Sequence, residues 1–453
     1  MIRAGQPAPP EDLSAPPTPT LGQALRFWLR LGCISFGGPA GQISLMHTEL
    51  VERRRWISEG RYLHALNYCM LLPGPEAQQL ATYLGWLLHG TRGGIAAGAL
   101  FVLPSLLLLI ALSWIYMALG QTPAVAGVLW GIKPAVTAIV VAAAWRIGKR
   151  SLKNALLWAI AFSAFVAIYF LNTPFPAIII AAGVIGWIGS KVSPAAFSAG
   201  GGHASSSTTR ARAVVDDDTP TPAHARFSRS RLLGQLAVGL GLWAAVMLLL
   251  ALSGGLEGTL AQMGWFFTKA ALLTFGGAYA VLPYVAQAAV TQHGWLSAPQ
   301  MMDGLALGET TPGPLIMVVA FVAFVGGWTH PMFGTDAIVL AAVVSACVAT
   351  FFTFLPSFVF ILAGGPLVEA THGQLGFTAP LVAITAAVVG VIVNLSVFFA
   401  QHVLWPDGFG GPFAWASALI GLASAVALMR FGVSVTRVIG ACALIGLARA
   451  LMG

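Results

Sequence analysis

Four uninterrupted apolar runs limit what this chain can fold into. Ala96 to Ile115, Ala237 to Leu252, Ala337 to Leu362 and Ala379 to Ala400 hold no charged residue, and Ala124 to Ala144 holds only Lys133. A helix of about 20 apolar residues crosses the hydrocarbon of a bilayer. A water-soluble core cannot hide runs of this length, whereas lipid accepts apolar side chains on every face of a helix. Composition agrees: of 453 residues, 57% are hydrophobic and 8% charged, against about 25% charged in a soluble domain. The expected fold is an all-α polytopic membrane protein, with the lipid bilayer as its main partner. Residues 1 to 20 are Pro-rich and polar, which reads as a disordered leader and not as a cleaved signal peptide.

The net charge of +8 does not point to nucleic acid, because the basic residues gather in a few loops. Arg53-Arg54-Arg55 with Arg61, then Arg146-Lys149-Arg150-Lys153, then residues 191–231 are the basic stretches, and basic loops stay on the cytoplasmic side. Loops 119–123, 172–176 and 254–258 carry almost no charge and are expected outside. Residues 191–231 combine Gly200-Gly201-Gly202, a Ser/Thr run, Asp216 to Asp218 and five arginines, a composition that builds no core and reads as a cytoplasmic linker. Cys33, Cys69, Cys347 and Cys442 form no metal-ligand spacing, so neither metal nor cofactor is expected.

The linker separates two halves that resemble each other. Phe27 to Pro75 aligns without a gap on Phe266 to Pro314, at a constant offset of 239 residues. Phe36-Gly37-Gly38 falls on Phe275-Gly276-Gly277, Trp56 on Trp295, Ser58 on Ser297, and Pro73-Gly74-Pro75 on Pro312-Gly313-Pro314. After a 13-residue insertion, Leu103-Pro104-Ser105 matches Leu355-Pro356-Ser357. The chain thus divides into a leader (1–20), a first transmembrane repeat (21–190), the linker (191–231), an extra connecting helix (232–257) and a second repeat (258–453).

Loop charge suggests how the halves sit. The loop 287–300, which matches the Arg53 loop, carries no Lys or Arg. This is met if each repeat opens with two broken, re-entrant hairpins followed by four full spans. The extra helix then inverts the second repeat, giving nine full spans and four hairpins. If every broken segment spans instead, the count is 13 spans. Duplicated, inverted halves are common in transporters, whose sites lie near the midplane at the repeat interface.

The breaks themselves offer anion chemistry. Ser35-Phe36-Gly37-Gly38-Pro39 and Thr274-Phe275-Gly276-Gly277-Ala278 interrupt apolar sequence, and glycine and proline break helices. A helix that restarts within the membrane presents bare N–H groups and the positive end of its dipole, which suits an anion. The plainer reading is a close helix crossing through small residues. The second pair of breaks, Pro73-Gly74-Pro75 and Pro312-Gly313-Pro314, has the same property, since proline fits the first turn of a new helix. Glu76 and Glu309 lie beside these breaks, and an intramembrane carboxylate is functional by default. Because a carboxylate repels a dianion, coupling to protons or gating suits them better than substrate contact. The plainer role is to complement the helix dipole.

Arg30 and Lys269 are matched cations about two turns before each Gly-Gly. Buried, they would take an oxyanion as partner; the plainer reading for Arg30 is an interfacial residue snorkelling beside Arg26, while Lys269 stands in the otherwise uncharged stretch from Thr268 to Pro283. Lys133 is a weaker third cation. His47, His64, His89 and Asp303 are expected at solvated edges, while Gln42, Gln78, Gln79, Thr82 and Thr353 hydrogen-bond either an oxyanion or a neighbouring helix. No phosphate-binding glycine loop, nucleophile elbow or HExxH occurs. That argues against an ATP-driven pump and against a hydrolase; the chain is expected not to be an enzyme.

At this point a resemblance is visible. Phe36-Gly37-Gly38-Pro39, the run Leu71 to Ala81 with Tyr83-Leu84-Gly85, Phe101 to Ser105, Phe275-Gly276-Gly277 with Val281-Leu282-Pro283, and Leu307 to Pro314 look like the CHR family of chromate transporters. The resemblance covers both halves and so matches the family's long, two-domain form. It implies a multi-pass protein of the bacterial inner membrane that expels chromate and confers resistance, driven by a proton gradient or the membrane potential. It also implies a link to sulfate, a dianion of the same shape. Ala278 departs from the pattern where the first half has Pro39. Sulfate transport, a passive anion channel and a membrane-embedded reductase are the alternatives. A homodimer is compatible with the chain.

Overall fold

The computed structural model describes residues 16–36, 38–197, 212–220, 222–371 and 378–452. Gly37, most of the leader and the Gly/Ser/Thr centre of the linker lie outside the described residues. The first repeat holds α1 (Leu21–Ile34), α2 (Gly38–His47), α3 (Glu59–Leu71), α4 (Glu76–Leu119), α5 (Pro123–Ser151), α6 (Ala155–Leu171) and α7 (Phe175–Val192). The connecting helix is α8 (Arg229–Gly254). The second repeat holds α9 (Thr259–Leu272), α10 (Ala278–Gln287), α11 (Ala298–Thr310), α12 (Val318–Thr329), α13 (Ile338–Thr371), α14 (Thr378–Leu404), α15 (Trp415–Met429) and α16 (Val435–Met452). His89 and Gly90 leave helical geometry and split α4 into two arms. The first arm of α4 corresponds to α12, and the second to α13.

Among the described residues, seven helices are long and apolar enough to cross a bilayer. Three shorter apolar helices accompany them: α6, α15 and the stretch Leu315–Thr329 that contains α12. This is a multi-pass membrane protein. Its hydrophobic exterior is visible in side chains such as Leu107, Phe162, Val238, Leu249 and Leu444, all exposed on helices with buried opposite faces.

The opening helices of each repeat enter and return on the same side. His89, at the end of the first arm of α4, hydrogen-bonds the Pro19 carbonyl just before α1, at 2.9 Å. The loop between α2 and α3 lies against the linker, which in turn meets the end of that arm: Val215 N–H donates to the Trp56 carbonyl at 3.0 Å, and His224 bonds the Trp86 carbonyl at 2.9 Å. Four helix ends therefore share one layer. The second repeat repeats the arrangement, with Thr329 at the end of α12 donating to the Trp295 carbonyl before α11, at 3.2 Å.

Both hairpin turns are held by the same device. A π-helical turn follows α2 (Thr48–Arg53) and α10 (Ala288–Gln292). Trp56 packs edge-on against Phe27 at 5.5 Å, and its counterpart Trp295 against Phe266 at 5.5 Å. Ser58 and Ser297 cap α3 and α11 through their hydroxyls. Such caps satisfy N–H groups that a helix start leaves open.

The two repeats interlock. The second arm of α4 crosses its counterpart α13 head to tail: Gly94 faces Leu362 and Gly98 faces Phe358. Helix α5 packs on α15 and α16, while α14 packs on α6 and α7. The approach is close where glycines meet; a Cβ on Gly131 would lie 2.1 Å from the Cys442 carbonyl oxygen.

Two expectations need correction. The end of the leader is tied down, since Thr20 forms a capping box with Gln23 at the start of α1. The linker, read from composition as unable to pack, is docked after residue 211. Ala213, Val215 and Ala225 are buried, Ser58 Oγ donates to Asp217 at 2.7 Å, and Val215 forms a parallel bridge with Ile57. Short apolar residues between charges were enough, because the first repeat supplies the surface they cover.

Candidate functional site

The four breaks meet, and they pair crosswise between the repeats. Gly74 N–H donates to the Thr274 carbonyl at 2.7 Å, and Gly313 N–H donates to the Ser35 carbonyl at 2.8 Å. These are the same bond twice, since Ser35 matches Thr274 and Gly74 matches Gly313 in the 239-residue register. Each Pro-Gly-Pro break thus satisfies a carbonyl freed by the Phe-Gly-Gly break of the other repeat. Freed backbone groups in a membrane are tolerated where protein or a cavity meets them.

The Pro-Gly-Pro breaks are tightly packed. Gly74 and Gly313 have φ of +127° and +106°, which only glycine adopts freely. A Cβ on Gly74 would lie 2.4 Å from Ser357 Oγ, and one on Gly313 would lie 2.6 Å from Ser105 Cβ. The two serines are also counterparts, matched by the Leu-Pro-Ser motifs. The Phe-Gly-Gly breaks are open by comparison. Gly38 and Gly277 have φ of +71° and +94°, and no atom lies within 4 Å of where their Cβ would be. Phe36 is 46% exposed, Gly276 is exposed and Phe275 half-buried. Pro39 occupies the first turn of α2, and Pro75 and Pro314 precede the restarting helices. Pro73 and Pro312 complete the two tight turns.

The restarting helices α4 and α10 and the short 3-10 turn at Leu315–Met317 start without a side-chain cap, as α9 does at the edge of its repeat, whereas α1, α3 and α11 carry one.

The polar side chains around the crossing come mainly from the first repeat. Gln42 Nε2 donates to the Gly313 carbonyl at 2.5 Å and to the Ser35 carbonyl at 3.3 Å. Gln79 Nε2 donates to the Pro73 carbonyl at 2.7 Å and to Ser357 Oγ at 3.3 Å. Gln78 Nε2 donates to Thr82 Oγ1 at 3.0 Å. All four side chains are buried, yet the Oε1 atoms of Gln42, Gln78 and Gln79, with Ser105 Oγ and Thr353 Oγ1, have no partner among the described residues. Buried polar groups left open are expected to meet water or a ligand.

Glu76 opens α4 and Glu309 lies at the end of α11. Glu309 accepts a short hydrogen bond from Tyr279 Oη, and Arg146 of α5 attracts both groups. Arg150, one turn further, attracts Glu76. The sequence reading took Arg146 and Arg150 only as topology markers. Nothing in their spacing tied them to carboxylates more than 60 residues away, and only helix packing could.

Arg30 and Lys269 are not buried beside the breaks, as expected for oxyanion ligands. Both side chains are exposed. Helix α1 buries Ala24, Phe27, Trp28 and Leu31, and residue 30 lies about 200° around the helix from Trp28. In α9, Lys269 shares an exposed stripe with Trp265, whose ring it overlies at 5.9 Å. The snorkelling alternative describes this placement.

Two further clusters were missed. Arg61 forms a short ion pair with Glu369 of α13, and its other nitrogens reach the Asp216 and Thr219 carbonyls of the linker at 3.4 and 3.0 Å. Tyr83 Oη adds a 2.5 Å bond to Glu369. Asp303, expected at a solvated edge, is 2% exposed and lies 3.6 Å from Lys133 Nζ.

Comparison with known proteins bears on this architecture. Residues 22–187 and 261–447 each match the family described as Chromate transporter, so the two matches coincide with the repeats and omit the linker and α8. A chromate transport protein of Cupriavidus metallidurans is 30% identical over 97% of both chains. One from Pseudomonas aeruginosa is 33% identical over 86% of this chain and 83% of its own. An uncharacterized transporter of Methanocaldococcus jannaschii is 23% identical over 83% of this chain. No solved structure matches the chain. Two family regions, one on each interlocked repeat, place this chain in the chromate transporter family.

Proposed function

We propose that this protein is a secondary transporter, not an enzyme, that exports chromate across the bacterial inner membrane and so confers resistance to it. The observation that carries the reading is the crosswise pairing of four helix breaks, a place where three of the restarting helices start without a side-chain cap. A tetrahedral oxyanion suits that place, because it accepts hydrogen bonds from several directions and its charge is stabilised by the dipoles. Phe36, Gly38, Pro39, Phe275, Gly276 and Gly277 form the open side of the site, and the Pro73–Pro75 and Pro312–Pro314 turns its packed side. The glutamine amides contribute either donors or acceptors according to their rotation. The names of the matched relatives support chromate as the substrate.

The head-to-tail crossing of α4 and α13, with one extra helix between the repeats, supports inverted topology and alternating access about the crossing. Expelling a dianion from a negative interior releases about 4.6 kcal/mol per 100 mV, twice the value for one charge. Glu76 and Glu309 act as gates: neutralised by protons or by Arg150 and Arg146, they let the anion approach; bare, they repel it. Arg30 and Lys269 attract the anion only at the surface.

Labelled chromate uptake into inside-out vesicles tests the proposal, with and without a proton ionophore and with sulfate as competitor. Concentrative uptake that the ionophore collapses is expected. Absence of uptake would sink the exporter; uptake indifferent to the ionophore would favour a channel; uptake abolished by a small excess of sulfate would make sulfate the better substrate.

A further inference from the structure

Asp303 belongs to no part of the crossing just described. It sits two turns before the Thr311 break on α11, buried at 2% exposure. Lys133 of α5 faces it at 3.6 Å, and Tyr116 of α4 donates a 3.0 Å hydrogen bond to the same carboxylate oxygen, Oδ2. The other oxygen, Oδ1, is buried without a partner among the described residues. Among the described residues no other ionisable group forms a hydrogen bond or ion pair with it: α12, α14 and α16 also pack on α11 but bring none to this carboxylate.

The repeat shows that the scaffold does not need this trio. In register, Asp303 corresponds to His64 and Tyr116 to Val368. With Pro134 and Pro380 taken as equivalent, Lys133 corresponds to Ala379. At the equivalent crossing, α3 against α13, the first repeat carries a different ion pair, Arg61–Glu369, whose two carboxylate oxygens are both taken, by Arg61 and by Tyr83. A carboxylate and an ammonium inside a membrane protein are costly to keep, and a pair that leaves one buried oxygen open, where its counterpart leaves none, asks for a use.

We infer that Asp303 is a proton-exchange site and that its carboxylate competes with the transported oxyanion for Lys133. The inference rests on the transport reading above. When Asp303 is ionised it holds Lys133, and no anion is attracted. When Oδ1, the free oxygen, takes a proton, the carboxyl is neutral and the Lys133 ammonium, 29% exposed, is left to attract the departing anion. The anion is released outward while Asp303 stays protonated; when the site turns inward the proton leaves to the cytoplasm and ionised Asp303 takes Lys133 back, so one proton enters for each oxyanion that leaves.

The test uses the purified full-length chain in proteoliposomes, with labelled chromate outside and either an acidic lumen or an imposed potential. The wild type should respond to both. Asp303→Asn should keep potential-driven uptake and lose the stimulation by the acidic lumen, falling from several-fold to about onefold. It should also abolish lumenal alkalinisation on adding chromate, read with a trapped pH dye. Lys133→Gln should lower both modes. Tyr116→Phe removes one hydrogen bond without a change of charge, and should shift the lumenal pH of half-maximal stimulation while uptake persists. It serves where Asp303→Asn fails to fold. Retained pH stimulation in Asp303→Asn, or an unmoved midpoint in Tyr116→Phe, overturns the inference. Absence of chromate uptake by the wild type would instead overturn the transport reading.

Discussion

The two repeats share a backbone and differ in chemistry. At the crossing, the first repeat places Gln42, Gln78, Gln79 and Thr82 where the second has Val281, Met317, Val318 and Phe321. Glu76 stands against Leu315, and Glu309 against Met70. At the hairpin turns, Glu49, Arg53 and Arg54 stand against Ala288, Gln292 and His293, yet Arg55 and Gly294 both take positive φ, at +51° and +61°. What both repeats keep is whatever holds the breaks: the glycines, the Trp–Phe contact, the serine caps. What differs is polar. The difference teaches that the fold imposes symmetry only on its joints, leaving each repeat free to carry its own polar groups.

The most damaging change should be at the joints. Gly313→Ala puts a Cβ 2.6 Å from Ser105 Cβ in a conformation with φ of +106°. Gly74→Ala does the same against Ser357. Both should abolish chromate uptake, and Ser105→Gly should restore part of it in the Gly313→Ala background. Gly38→Ala and Gly277→Ala meet open space and should lose less. Equal losses at all four would show that packing is not what separates the two kinds of break.

Next in size is the cross-repeat ion pair. Arg61→Ala or Glu369→Ala leaves a buried charge without its partner, at a cost of about 3–5 kcal/mol. Thermal melting in detergent should show the loss, and the linker should become more open to protease, because Arg61 also holds its carbonyls. An unchanged protease pattern would show that the linker docks without Arg61.

Making the first repeat like the second is a finer test. Gln42→Val removes two hydrogen bonds to freed carbonyls, each worth about 1–3 kcal/mol when its loss leaves a buried group open. Chromate uptake should fall about tenfold to a hundredfold. The reciprocal Val281→Gln should not compensate. If it does, the polar side of the crossing is interchangeable.

The smallest effect is expected at the hairpin turns. Burial alone would raise the Glu49 pKa, but bonds to Arg53 and Arg54 outweigh it and hold the carboxylate below its usual 4.5. A depressed carboxylate adds stability above the unfolded value, lost as pH falls through the folded one. Glu49→Gln should therefore lower the melting temperature slightly at neutral pH and match the wild type once the pH has fallen through the folded value. At the counterpart turn, burial and then Lys269 lower the His293 pKa. His293→Gln should thus change stability little at neutral pH, where the ring is already uncharged.

Much of the scaffold was legible in the sequence. Apolar runs fix the spans, because lipid leaves no other place for them, and the 239-residue register fixes the hairpins, because glycine and proline break helices wherever they fall. The breaks were found for the same reason. The partners of charged residues were not legible. Arg30 and Lys269 share a register with the breaks but point away, since a helix turns about 100° per residue and the buried stripe lay elsewhere. Lys133 and Arg61 gained their carboxylates only when α5 met α11 and α3 met α13. The sequence alone determined a duplicated membrane protein with four glycine-proline joints, since those features are local or periodic. The tertiary structure alone decided that the joints pair crosswise and which cation faces which carboxylate, because both depend on contacts between segments far apart in the chain.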